Sequence, residues 1–139
     1  MIDINANWQY DEKPGIHETL SQILWYEFRS EHLLETVSSK KGVLNRLTDE
    51  RWAHITEEHC ELAGLRLEVP ETVANPSRVL AGGEGALLSI REISRGKYLV
   101  VVYRELEDDG FIITAFLTTK TKALNRRIQL WPDWQWNSI

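Results

Sequence analysis

The chain has 139 residues, 42% of them hydrophobic, with a formal net charge of -5 and one cysteine. That length suits one domain with a real core, and a lone Cys60 excludes an intrachain disulfide or a cysteine-based zinc site. The mild acidity argues against general nucleic-acid binding, which draws on a concentrated positive field, and no apolar run approaches a bilayer's thickness. With no basic-then-apolar leader, the expected setting is the cytoplasm, without membrane association.

Residues 1–15 mix polar and aromatic side chains without a period, and Pro14-Gly15 closes them off as an arm. Over 16–29, Ile16, Leu20, Ile23, Leu24 and Phe28 recur at helical spacing, with Trp25 and Tyr26 widening the apolar side. This predicts an amphipathic helix that covers a sheet. The other reading is a partner-binding surface, because the chain carries six tryptophans and Trp8 and Trp25 both fall in this part. Residues 33–37 and 43–47 flank a polar loop ending in Gly42, which leaves a small hairpin and a continuing helix both open.

Thr48 is an N-cap residue followed by Asp49 and Glu50, where the helix dipole favours negative charge, so a helix is expected from Asp49 to about Cys60. Trp52, Ile55 and His59 line one side of it, while His54 and Glu58, four apart, project together. A short helical turn around 71–74 is closed by Asn75-Pro76, and Arg78 to Ala81 starts a strand. Gly82-Gly83-Glu84-Gly85 then turns the chain into a meander. Its strands are expected over 86–94, over 96–106, and over 110–120 after the acidic turn Glu107-Asp108-Asp109-Gly110. Tyr98 to Tyr103 is β-branched or aromatic nearly throughout, which suits a central strand packed on both faces. The last segment, TKALNRRIQLW, finishes as a helix or a further strand before an aromatic tail over 131–136.

These elements predict an α+β fold, with N-terminal helices packed on an antiparallel meander sheet of four strands or more. Residues 1–46 extend the domain, 47–127 form its core and 128–139 its tail. If the hairpins turn at their glycines, Tyr103 lies across from Thr114 and Arg91 near Leu99. One face then collects Leu88, Ile90, Val100, Val102, Ile113, Ala115 and Leu117. The other mixes Val101 and Phe116 with Ser89, Arg91, Tyr103, Thr114 and Thr118, and reads either as a wet surface with structural hydrogen bonds or as a site.

His54 and His59 superficially resemble helical zinc motifs, but a spacing of five turns the second about 500° round the helix, about 140° net. One ion does not take both, so no metal or other cofactor is expected. Each histidine reads as surface or packing, or as an acid-base group working near neutral pH. Lys120, Lys122, Arg126 and Arg127 form a basic strip with no acid among them, either a solvated face or a guide for a polyanion.

The set Arg51-Trp52, His54-Ile55, His59, then Thr72, Pro76 and Val79, then Ile113-Thr114-Ala115 resembles the phage-type branch of the barnase, EndoU, colicin and RelE nuclease superfamily, over about residues 47–127. Cys60 stands where proline is common in that family, and Phe116 where tyrosine is common. The resemblance implies a barnase-like fold and a metal-independent ribonuclease that cuts through the ribose 2′-hydroxyl to a 2′,3′-cyclic phosphate. It implies acid-base work for His54 and His59, with Glu58 orienting or substituting. It further implies phosphorane stabilisation by Arg91, whose planar fork fits phosphate oxygens, and Tyr103 and Thr114 as groups that position phosphate or substitute for the acid. Ser89, Thr118, Lys120, Lys122, Arg126 and Arg127 would contact the RNA. A toxin of this type implies a protein inhibitor or antitoxin as partner. The alternative is a non-catalytic binding or assembly module that keeps the fold.

Overall fold

The structure is a computed structural model, and it describes residues 34–132. The expected arm, the amphipathic segment over 16–29 and the tail beyond Pro132 lie outside the described residues. Seven strands form one sheet: β1 (Leu34–Ser38), β2 (Leu44–Thr48), β3 (Arg78–Ala81), β4 (Leu87–Ser94), β5 (Lys97–Leu106), β6 (Asp109–Thr118) and β7 (Gln129–Trp131). Among the described residues three helices accompany them: α1 (Asp49–Glu58), α2 (Glu68–Ala74) and α3 (Lys122–Asn125), with a 3-10 turn at Cys60–Leu62 after α1. The fold is α+β.

The sheet order is β1-β2-β6-β5-β4-β3-β7, with every neighbouring pair antiparallel except β2 and β6. The sheet is therefore larger than four strands, with β3 to β6 forming the consecutive antiparallel meander. The polar loop over 39–43 is a hairpin turn, and the segment after Lys120 supplies a short helix and then a strand. Residues 34–48 thus belong to the sheet. β5 is its middle strand, and Leu99 to Tyr103 are each at most 1% exposed, because a run of Val and aromatic side chains loses most by meeting water on either face. Its hairpin to β6 turns through Glu107 at φ 55, the left-handed region.

Two apolar layers result. Leu88, Ile90, Val100 and Val102 join Leu80, Phe116 and Leu124 of α3 on one side. Leu87, Leu99, Val101 and Tyr103 join Ile55 of α1, Leu62, and Val69 and Val73 of α2 on the other. Each fully buried side chain of this size contributes roughly 1.5–3 kcal/mol relative to exposure, so the interdigitated helices are held by these contacts. α1 begins where expected: the Thr48 hydroxyl accepts from the Arg51 amide at 3.1 Å.

α2 touches β1 near one edge of the sheet as well as β4 and β5 in its middle. The Lys40 ammonium, in the turn after β1, lies 5.0 Å from the ring centroid of Trp131 in β7, so both edge strands approach each other at this end. The sheet curls around α2. Among the described residues no helix is long and apolar enough to cross a membrane.

Candidate active site

Arg91 lies opposite Leu99, as the hairpin geometry predicts, but Tyr103 does not lie opposite Thr114. A bulge between Val102 and Tyr103 pairs Tyr103 with Ile112 and Thr114 with Val102, leaving Ile113 as the extra residue of β6. Because side chains alternate across a strand, that one residue reverses the faces beyond it. Thr114, Phe116 and Thr118 share the side of Val102, Val100 and Tyr98, whereas Ala115 and Leu117 share the side of Tyr103, Val101 and Arg91. The expected polar face is therefore split between the two sides.

Nor is the Arg91 side wet in its middle. Ser89 is fully buried and Tyr103 1% exposed beneath the helices, so neither meets a substrate from solvent. Burial pushes the Tyr103 phenol well above its usual range; the neighbouring Ser89 hydroxyl works against this and the charge of Glu105 adds to it. Tyr103 stays a neutral packed phenol. Thr114 is buried as well, which removes the positioning role expected of this pair.

Arg91 itself is partly accessible, on the rim of β4. Its Nε donates to the Thr72 hydroxyl at 3.2 Å, and its Nη2 meets the Glu68 carboxylate and donates to the Glu68 carbonyl at 3.4 Å. Thr72 in turn donates to that same carbonyl at 2.7 Å. Glu68 and Thr72 stand four apart on one side of α2, which is how one guanidinium reaches both. Neither carried a role in the sequence reading, although Thr72 stood in the motif set and the Glu68–Thr72 spacing was visible.

The two histidines have opposite surroundings. His54 is exposed on α1, with Nδ1 3.8 Å from the carboxylate of Glu57, so the neighbouring acid is one residue before the expected Glu58, which is also exposed. His59 is 3% exposed where α1 ends: its amide donates to the Ile55 carbonyl, and its ring centroid is 6.2 Å from that of Phe116. Its Nδ1 lies 3.6 Å from the Glu61 carboxylate, while its Nε2 is buried without a hydrogen-bond partner among the described residues. The pair expected to share acid-base work is not gathered, and only His54 faces solvent.

Arg91 and His59 share a level of the sheet, although Phe116, the ring His59 meets, is on the side away from Arg91. Arg91 pairs with Leu99, Leu99 with Leu117, and the residue before Leu117 touches His59. The C-terminal end of α1 thus lies beside β6 at the height where Arg91 stands two strands across, about 10 Å in strand spacings. β6 ends just beyond, where the Thr118 hydroxyl accepts from the Lys120 amide at 3.0 Å. Lys120, Lys122 and Arg126 are exposed from there on, while Arg127 is half-buried and donates to the Ala81 carbonyl at 3.3 Å. Arg78 adjoins this strip by donating to Asn125 at 2.7 Å.

Among the described residues no three His, Cys, Asp or Glu side chains gather to hold a metal ion. The fold and site define an α+β chain with a solvent-facing imidazole, a carboxylate-paired arginine and a basic strip at one end of a curled sheet. No family model matches it, and neither a curated protein nor a solved structure does.

Proposed function

We propose that this chain is a metal-independent RNA endonuclease of toxin type, acting in the cytoplasm and held in check by a protein inhibitor. The observation that supports this best is the shared level of Arg91 and the histidine-bearing helix, next to the start of the basic strip. His54, whose Nδ1 lies 3.8 Å from the Glu57 carboxylate, takes the proton from a ribose 2′-hydroxyl. The 2′-oxygen attacks phosphorus, Arg91 balances the charge that builds on the phosphorane, and the 5′-oxygen leaves with a proton from solvent. The products are a 2′,3′-cyclic phosphate and a 5′-hydroxyl end. Lys120, Lys122 and Arg126 guide the RNA backbone towards the cut.

The second reading, a non-catalytic module that binds a protein partner, is favoured by a specific observation. His59 and Tyr103 are buried, and Arg91 is already paired within the fold. Incubation of the purified chain with oligoribonucleotides in EDTA separates the two. Cleavage that survives the chelator, requires the 2′-hydroxyl and disappears in His54→Ala and Arg91→Ala supports the endonuclease. Absence of cleavage across transfer, messenger and ribosomal RNA supports the module.

A further inference from the structure

The Arg91 guanidinium is the group best suited to grip a phosphodiester, yet its Nη2 faces the Glu68 carboxylate, and that pair is partly open to water, at 24% and 42% side-chain exposure. A carboxylate and a phosphate present the same feature to an arginine, two oxygens that accept a planar fork of N–H donors. Nε is held separately by the Thr72 hydroxyl, and Thr72 is itself fixed by its bond to the Glu68 carbonyl. The main-chain and hydroxyl contacts therefore orient the guanidinium. The carboxylate alone occupies the position where a ligand oxygen would sit.

We infer that Glu68 is a built-in occupant of the phosphate position at Arg91, a self-inhibitory contact that an RNA phosphate must displace before the arginine can act. This rests on the endonuclease reading for its ligand, and it deepens that reading by naming what keeps the resting site closed. Glu68 lies in the first turn of α2 with its side chain 42% exposed, whereas Val69, Thr72 and Val73 of the same helix are buried. Displacement exchanges one charge-assisted pair for another, so the cost is that of a partly exposed ion pair and is met by the incoming phosphate.

The test uses the full chain and an oligonucleotide that is 2′-O-methylated throughout, which binds but offers no 2′-hydroxyl. Affinity is read by fluorescence anisotropy over a series of salt concentrations. Glu68→Gln is expected to bind about two- to fivefold tighter, with a steeper salt dependence by roughly one phosphate contact. The gain disappears when Arg91→Ala is added. Glu71→Gln, which makes the same change of charge at an exposed position of α2, binds as wild type does. Glu68→Ala serves as a second variant, and thermal melts establish that each protein is folded.

Equal affinity for wild type and Glu68→Gln overturns the inference, as does a gain that survives Arg91→Ala or is matched by Glu71→Gln. Cleavage of the unmethylated oligoribonucleotide is measured alongside. Tighter binding through Arg91 with no cleavage by any variant leaves the Glu68 contact standing and removes the endonuclease. Cleavage by wild type with no change in Glu68→Gln does the reverse.

Discussion

Asn45 reaches across Gly110 to Glu105, donating from Nδ2 to the carboxylate at 2.7 Å over a strand that presents no side chain in between. The three residues form one row across β2, β6 and β5. Ser39, in the β1–β2 turn, donates to the same carboxylate oxygen at 2.6 Å. This row ties the single parallel pairing of the sheet to its middle strand. A β-carbon at position 110 would collide with the carboxamide of Asn45. Gly110→Ala is therefore expected to destabilise the fold by about 2–4 kcal/mol, from overpacking and from the broken hydrogen bond. An unchanged urea midpoint for the variant would show that Asn45 moves aside at no cost.

A different tie holds β1 to α1. The Arg66 guanidinium donates from Nε to Glu35 of β1 at 2.7 Å and lies 2.5 Å from Asp49 at the start of α1. Burial works against its charge, but the two carboxylates outweigh this and raise its hold on the proton. All three side chains keep some access to water, so the pairing is screened and its contribution is modest. Arg66→Ala is expected to cost about 1–2 kcal/mol, less in high salt, and to speed hydrogen exchange at the β1 amides before those of β5. Uniform exchange changes across the sheet would contradict a local tie.

Tyr103 makes a prediction in alkali. Its phenol is buried, which raises its pKa above the ordinary 10.0. The unfolded chain releases this proton near pH 10 while the folded chain keeps it, so the contribution is fully present below pH 10 and is lost as pH rises above it. In that window Tyr103→Phe should lose stability less steeply than wild type, by up to roughly 1.4 kcal/mol per pH unit. Urea melts between pH 9 and 11 measure the difference. Parallel curves would mean that the phenol ionises without unfolding. The same variant should cleave RNA at the wild-type rate, since a residue 1% exposed does not touch substrate.

The local elements could be read from the chain because their causes are local. Thr48 with Asp49 and Glu50 marks the start of α1, and the Val-rich run before Tyr103 marks a strand buried on both sides. The bulge at Ile113 left no such trace: Phe111, Ile112, Ile113, Ala115 and Phe116 are apolar nearly without interruption, so no alternation records an inserted residue. That concealed residue is why Tyr103 and Thr114 were expected on one face. The parallel pairing of β2 with β6 joins segments about sixty residues apart and has no local pattern to announce it. Of the site, exposure separated what spacing could not, setting His54 in water and His59 in the core. The partners of Arg91 come from a helix whose contacts depend on the tertiary fold.

Thr72 offers the sharpest separation of chemistry from packing. Its side chain is fully buried, donates to the Glu68 carbonyl at 2.7 Å and accepts from Arg91 Nε at 3.2 Å. Valine has nearly the same shape but no oxygen, so Thr72→Val keeps the volume and removes both bonds. The buried hydroxyl's loss should cost about 1 kcal/mol of stability. If the hydroxyl also aims Arg91 at the phosphorane, kcat for RNA cleavage should fall about tenfold with KM within about twofold, because a misdirected fork is felt most where charge develops. Thr72→Ser restores the oxygen and should recover most of kcat despite leaving a small void. A stability loss without a change in kcat, or a failure of serine to rescue, would make Thr72 a packing residue of α2 and leave Arg91 to be oriented by the Glu68 carbonyl alone.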